Sequence, residues 1–186
     1  LYATDTTATK SRPDSIRLKN GGELKGPLTV VSNDPVYIQG DYNTVNKKGA
    51  SVICDAVNLL SKGWSDTKGD SSSDPFGSKT ALSTTYNVAF ISGIVPTPDG
   101  GGTYSGGLEN YPRLHEDWSG TALTIRGSFV ELWLSQFAQG GWKYGDPQYK
   151  APTRNWDYDT DFNDEDKLPP FTPYAVEMTP VLYWQG

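Results

Sequence analysis

Cysteine, histidine and methionine occur only once each in the 186 residues. The single cysteine, Cys54, can close no disulfide within the chain. It ends the apolar run Ser51-Val52-Ile53-Cys54 and reads as a buried, inert thiol. The single histidine, His115, lies among polar residues with no serine or cysteine partner, and reads as a solvated residue on a helix surface. No stretch approaches the roughly 18 consecutive apolar residues that span a bilayer, so no membrane span is expected. No basic stretch leads into an apolar one, so no secretory leader is expected within these residues either. Lysine and arginine (16) are outnumbered by aspartate and glutamate (22) and form no cluster, giving a net charge of −6. Nucleic acid is therefore not an expected partner. The sequence also lacks a nucleophile elbow, a phosphate loop, a zinc spacing and a dinucleotide fingerprint. Gly100-Gly101-Gly102 has no following Lys-Ser/Thr and reads as a plain loop.

Leu, Ile, Val and Phe total only 37, close to the composition at which order becomes marginal. Six Trp and eleven Tyr make up the deficit, so a core can close, but an aromatic-rich one. With 20 Gly and 13 Pro, much of the chain must be irregular.

Residues 1–26 are polar and read as an extended arm, of which Asp14–Leu24 can add one strand with Ile16 and Leu18 on one face. From residue 27 to 141 short strands of period-two alternation are separated by Gly, Pro, Asn and Asp. Within this stretch Ile38-Gln39-Gly40, Ile91-Ser92-Gly93 and Ile125-Arg126-Gly127 share a pattern, each followed within two residues by a bulky apolar side chain. Ile53-Cys54-Asp55 is a fourth copy, with aspartate at the glycine place. The pattern reads as strand, corner, strand, since glycine or aspartate accepts the unusual dihedrals of a sharp bend. Stacked units of this kind make a coiled β architecture whose insertions emerge as loops. The spacings of 15, 38 and 34 between the isoleucines are uneven, so an antiparallel sandwich stays the alternative. The expected fold class is thus all-β, an irregular solenoid-like or sandwich core with long loops. Tyr111–Trp118 is expected to form one or two helical turns beginning near Pro112, and Phe129–Phe137 a strand. Residues 142–186, with 10 of the 23 aromatics and 6 of the 13 prolines, read as an irregular tail pinned across the core. A closing strand at Pro173–Trp184 is its one expected regular element.

Three constellations bear on chemistry. Residues 157–166 hold six acids, and Asp157, Asp159, Asp161 and Asn163 match the 1, 3, 5, 7 spacing of a calcium loop. Phe162 and Leu168 stand where an EF-hand needs glycine and a bidentate glutamate. An EF-hand is excluded; a looser calcium site or an acidic turn paired with Arg154 and Lys167 remains. Trp142, Tyr144, Tyr149, Trp156 and Tyr158 could form a platform for sugar rings, or could fasten the tail to the core. Finally, residues 1–48 carry a net +2 and residues 142–186 a net −4. Head-to-tail contact between copies would use that asymmetry.

Certain strings, in order, resemble a known group: Val36-Tyr37-Ile38-Gln39-Gly40-Asp41-Tyr42-Asn43, Gly106-Gly107-Leu108-Glu109-Asn110-Tyr111-Pro112-Arg113, Trp118-Ser119-Gly120 and Thr153-Arg154-Asn155-Trp156. They are similar to the C-terminal β-rich region of large bacterial pilin-like proteins of the PilX type, over roughly residues 28–175. The resemblance implies no enzymatic activity, no cofactor and no catalytic residues. It implies an extracellular, cell-surface filament subunit of type IV pilus kind that self-associates into a homopolymer. Type IV pilins carry a long hydrophobic helix that nothing here can supply. It is expected either to have been removed or to reside on a separate short subunit, as in split pilins. Two other functions remain in view. One is an adhesin or carbohydrate-binding module using the aromatic tail. The other is a calcium-dependent polysaccharide-acting enzyme, with Asp157, Asp159 and Asp161 on the metal and Arg126 or Arg154 on a uronate.

Overall fold

The computed structural model describes residues 1–7, 14–67, 79–95, 105–139 and 150–173. The expected closing strand at Pro173–Trp184 falls almost wholly outside them, as do Gly100–Gly102, Trp142, Tyr144 and Tyr149.

The described residues form eleven strands: β1 (Ile16–Lys19), β2 (Leu28–Val31), β3 (Val36–Gln39), β4 (Ala50–Cys54), β5 (Val57–Leu60), β6 (Thr84–Asn87), β7 (Ala89–Ile94), β8 (Pro112–Leu114), β9 (Ala122–Gly127), β10 (Phe129–Leu134) and β11 (Thr153–Tyr158). Every pairing among them is parallel. They form three sheets, ordered β10-β7-β4-β2, β1-β3-β5-β8 and β11-β9-β6. Chain order rotates through these sheets: β2 to β3, then β4 to β5 to β6, then β7 to β8 to β9. The winding is solenoid-like, and among the described residues the antiparallel pairing of a sandwich is not seen.

The register explains why such short strands hold. Inward side chains stack in ladders, one per face: Val30, Val52, Phe90 and Phe129 on the first, and Leu18, Ile38, Leu59 and Leu114 on the second. On the third, Tyr42, Tyr86, Ile125 and Trp156 are aligned. The middle members of each ladder are fully buried in one apolar core that also holds Trp118. Each such side chain contributes roughly 1.5–3 kcal/mol by leaving water.

The corners are built as the isoleucine pattern predicts at three of its four places. Gly40 follows β3 with φ +81°, a left-handed conformation that favours glycine. Asp55 turns β4 into β5, and Gly127 turns β9 into β10. Gly93 is different, because β7 runs straight through it. The isoleucines divide as well. Ile38 and Ile125 lie in the core, whereas Ile53 and Ile91 pair with each other on the outer side of the first sheet, half-buried. In β4 the inward positions are Ala50, Val52 and Cys54, so that strand meets its corner one residue out of phase with β3.

Residues of the expected N-terminal arm lie along the winding. The backbone of Ala3 donates to Val31 O at 3.0 Å, Tyr2 bridges Val31, and β1 lines up beside β3 with Ile16 and Leu18 against the core. The helical turns expected over Tyr111–Trp118 do not form. A 3-10 turn spans Gly107–Asn110, and Pro112–Leu114 is strand β8 beside β5. Pro112 sits at the first position of an edge strand, where its missing N–H costs no ladder bond. The stretch Phe129–Phe137 begins with a strand, as expected. The tail contains more order than its composition suggests: β11 matches β9 over six residue pairs, and Leu168–Pro173 crosses the outer side of the first sheet. There the Thr29 hydroxyl donates to Pro170 O at 2.6 Å.

Candidate functional site

The 157–166 acidic stretch resolves into paired groups. Lys47 Nζ lies 2.8 Å from Asp159 Oδ1 and 2.6 Å from Asp161 Oδ2, and Lys167 reaches Asp161 at 3.3 Å and Asp164 at 3.4 Å. Asp157 turns to Arg126, 3.1 Å away, and Asn163 Oδ1 accepts from the Tyr158 hydroxyl. Hydrogen bonds from Lys47 and Lys167 hold the Asp161 carboxyl below its usual range. Thus the four residues of the proposed calcium set do not converge on one point. Asp159 and Asp161 share a lysine, while Asp157 and Asn163 have other partners. Among the described residues no group of three or more His, Cys, Asp or Glu is placed to hold a metal ion.

Arg126 and Arg154 are likewise engaged. Arg126 donates to Asn155 O at 2.8 Å, and Arg154 pairs with Glu109 at 3.0 Å while lying over the Trp156 ring. Trp156 is half-buried and packs against the core, 5.5 Å from Phe129 between ring centroids and with Arg154 over its ring. His115 is not on a helix. It follows β8, half-buried, with Nε2 2.8 Å from Asn58 Oδ1 and its ring 5.4 Å from that of Tyr37. Cys54 is buried, and its thiol is pushed up to about 12, mainly by desolvation.

Two features stand out in their place. The first is one end of the winding. β10 is the outermost strand of the first sheet and β11 that of the third, so both present an edge unpaired by any described strand. On β10, Leu132 is 66% exposed and Leu134 61%. At the opposite end β1 is the outer strand of the second sheet. Long exposed edges with apolar side chains invite another strand.

The second feature is a cleft of about 580 Å³ along the corner between the first and second faces. Its floor is Val31 and Ile53, outward members of β2 and β4. One wall is the N-terminal segment, held by Asp34, which is 2% exposed and accepts from the Asp5 backbone N–H at 2.7 Å and the Thr4 hydroxyl at 3.1 Å. The other wall follows β10 and is held by Asp55, 4% exposed. That carboxylate accepts from Ser135 Oγ at 2.7 Å and from the backbone N–H groups of Gln136 and Phe137 at 2.5 and 3.1 Å. Both carboxylates are spent on local donors, so the cleft has shape without a free acid at its base.

Trp133 overhangs this cleft for a traceable reason. The register between β10 and β7 slips between Glu131 and Trp133, a bulge that turns the following side chains. Beneath it Gly93 leaves room for the indole: a Cβ there would stand 2.7 Å from Trp133 Cδ1 and 2.7 Å from Ser135 N. The sequence pattern marked Gly93 as a corner, but its service is to seat this ring. No periodicity in the sequence exposes that role, because the seat and the ring lie on different coils.

No helix among the described residues is long and apolar enough to cross a membrane. Compared with protein-family models, curated proteins and solved structures, the chain matches none.

Proposed function

We propose that this chain is a structural, non-enzymatic subunit of an extracellular, type IV pilus-like filament, joined to like copies end to end along the axis of its winding. The observation that carries the reading is the pair of outer strands β10 and β11 at one end, with the outer strand β1 at the other. Parallel strands stacked in register offer a second molecule the same ladder that each coil offers the next. Exposed Leu132 and Leu134 supply apolar area to such a contact. Because the two surfaces differ, the contact does not close on itself and propagates. The resemblance to pilin-like sequences supports a place at the cell surface and a separate short hydrophobic-helix subunit as a further partner. The ion-paired Arg126, Arg154 and acidic stretch favour this reading over a calcium-dependent polysaccharide-acting enzyme.

Sedimentation velocity and negative-stain microscopy across a concentration series test it. The expected result is concentration-dependent end-to-end polymers for the parent protein, and monomers with an unchanged melting temperature for the Leu132→Glu/Leu134→Glu variant. A parent protein that stays monomeric at millimolar concentration, or a variant that polymerises equally well, would overturn the reading.

A further inference from the structure

We infer that the corner cleft beneath Trp133 is a binding site for a neutral saccharide chain. The inference does not depend on whether copies of the protein polymerise.

Four properties of the cleft select this ligand class. Its size comes first: about 580 Å³ lies between the N-terminal wall and the wall after β10, over Val31 and Ile53, a volume in the ordinary range of ligand sites.

The second property is the kind of surface. Trp133, 37% exposed, presents a flat apolar face fixed by the bulge and by the Gly93 seat. Phe137 and Tyr2 add two further rings to the lining. Stacking on flat apolar faces suits the C–H-lined face of a pyranose ring, and Trp and Tyr combine that area with a polar edge.

Third come the hydrogen-bonding groups left for a ligand. The Gln136 side-chain amide is exposed and has no bond to any described residue, and Asn33 spends only its amide nitrogen, on Tyr2 Oη at 3.2 Å. An amide offers donors and an acceptor together, which matches vicinal hydroxyls. An extended peptide would instead need a free backbone edge, and the floor strands β2 and β4 have neighbours on both sides.

Charge sets the fourth limit. Among the described residues no lysine or arginine lines the cleft, whereas Asp34 and Asp55 do. Their field repels uronates, sulfated sugars and phosphorylated chains, so neutral sugars are selected. The walls are also fixed before a ligand arrives: Asp34 and Asp55 pin them by five hydrogen bonds, which reduces the ordering cost of binding.

The test is titration of the full chain with cellohexaose, maltohexaose, chitohexaose and xylohexaose, with hexagalacturonate as the charged comparison, read by intrinsic tryptophan fluorescence and calorimetry. At least one neutral hexasaccharide is expected to bind, and hexagalacturonate at least tenfold more weakly. Trp133→Ala is expected to weaken binding at least tenfold with little change in melting temperature, since that ring is partly exposed. Gly93→Ala keeps the indole but displaces it from its seat, and is expected to weaken binding as well. Gln136→Ala gives a smaller loss, about threefold. The inference is overturned if no neutral hexasaccharide binds, if hexagalacturonate binds as tightly as the neutral chains, or if Trp133→Ala binds as tightly as the parent. Polymerisation is read on the same samples by sedimentation, so failure here and failure of the filament reading are distinguishable.

Discussion

Asp55 and Ser135 stand 80 residues apart in the chain, yet the Ser135 hydroxyl donates to the Asp55 carboxylate over 2.7 Å inside a buried corner. The same carboxylate takes the backbone N–H groups of Gln136 and Phe137. One side chain therefore fastens the segment after β10 to the corner between β4 and β5.

Removing that fastening is expected to be costly. Asp55→Ala strands two backbone donors and a hydroxyl at once. A loss of about 3 kcal/mol is expected in urea unfolding, from several charge-assisted hydrogen bonds that do not add fully. Asp55→Asn keeps one acceptor and should lose about half as much. Hydrogen exchange at the amides of Gln136 and Phe137 should accelerate in both variants, ahead of any change in the β2–β4 ladder.

Glycines separate sharply by what surrounds them. At Gly127 an added Cβ would be driven into the Val88 carbonyl, a backbone group that cannot swing aside, whereas at Gly26 it would meet nothing within 4 Å. Gly127→Ala should cost about 3 kcal/mol or more in a chemical unfolding titration. Gly26→Ala should be neutral or stabilise by up to about 1 kcal/mol, through a less flexible unfolded chain.

Alkali should unfold this protein earlier than its acidic composition suggests. Burial raises the Cys54 thiol from 9.0 to about 12, and the hydroxyls of Tyr42 and Tyr111 from 10.0 to about 12. Below pH 9 these groups are protonated in both states, and their contribution is fully present. Above pH 9 the unfolded thiol ionises while the folded one does not, and the tyrosines follow above pH 10. The unfolded state then holds fewer protons, so stability falls as pH rises. Melting temperatures measured from pH 7 to 11 should decline from about pH 9, and Cys54→Ala should delay the onset. In the native protein at pH 8, Cys54 should resist a thiol reagent that labels it in urea.

Lys47 carries an acid-side counterpart. It bridges Asp159 and Asp161, and Asp161 is held below the usual carboxylate range by hydrogen bonds from Lys47 and then Lys167. That contribution is present above the ordinary carboxylate pKa and is lost as pH falls through the depressed one. Lys47→Ala should lower stability at pH 7 by about 1 kcal/mol, less in high salt. Its melting temperature should also depend less on pH between about 5 and 2 than the parent's does.

Much of the winding was legible from residue pattern, and its failures have specific causes. Strand-corner-strand units are visible because corners need glycine or aspartate and strands alternate, so Gly40, Asp55 and Gly127 were recognisable. Phase is what the pattern could not supply. Ile53 and Ile91 match Ile38 in sequence, yet they point outward, because strands of different faces enter their corners at different steps. Pro112 looked like a helix start, since proline suits that position as well as it suits the head of an edge strand, and only the partner strand β5 decides. Strand β11 was hidden in Thr153-Arg154-Asn155-Trp156-Asp157-Tyr158, where exposed polar residues dominate and only Trp156 turns inward. The cleft was illegible for a further reason: Tyr2, Asp34, Asp55 and Trp133 become neighbours only when separate coils stack.

The spacing of ladder partners also sets an order of assembly for the chain itself. Thr29 reaches its neighbour Ser51 across 22 residues, whereas Asp55 must wait for a donor 80 residues downstream. Closing the short loop costs less entropy, so the tiers around β2 and β4 can zip together first and serve as a template. During synthesis those tiers also leave the ribosome before the rest, which makes growth from the N-terminal end both the cheaper and the earlier route.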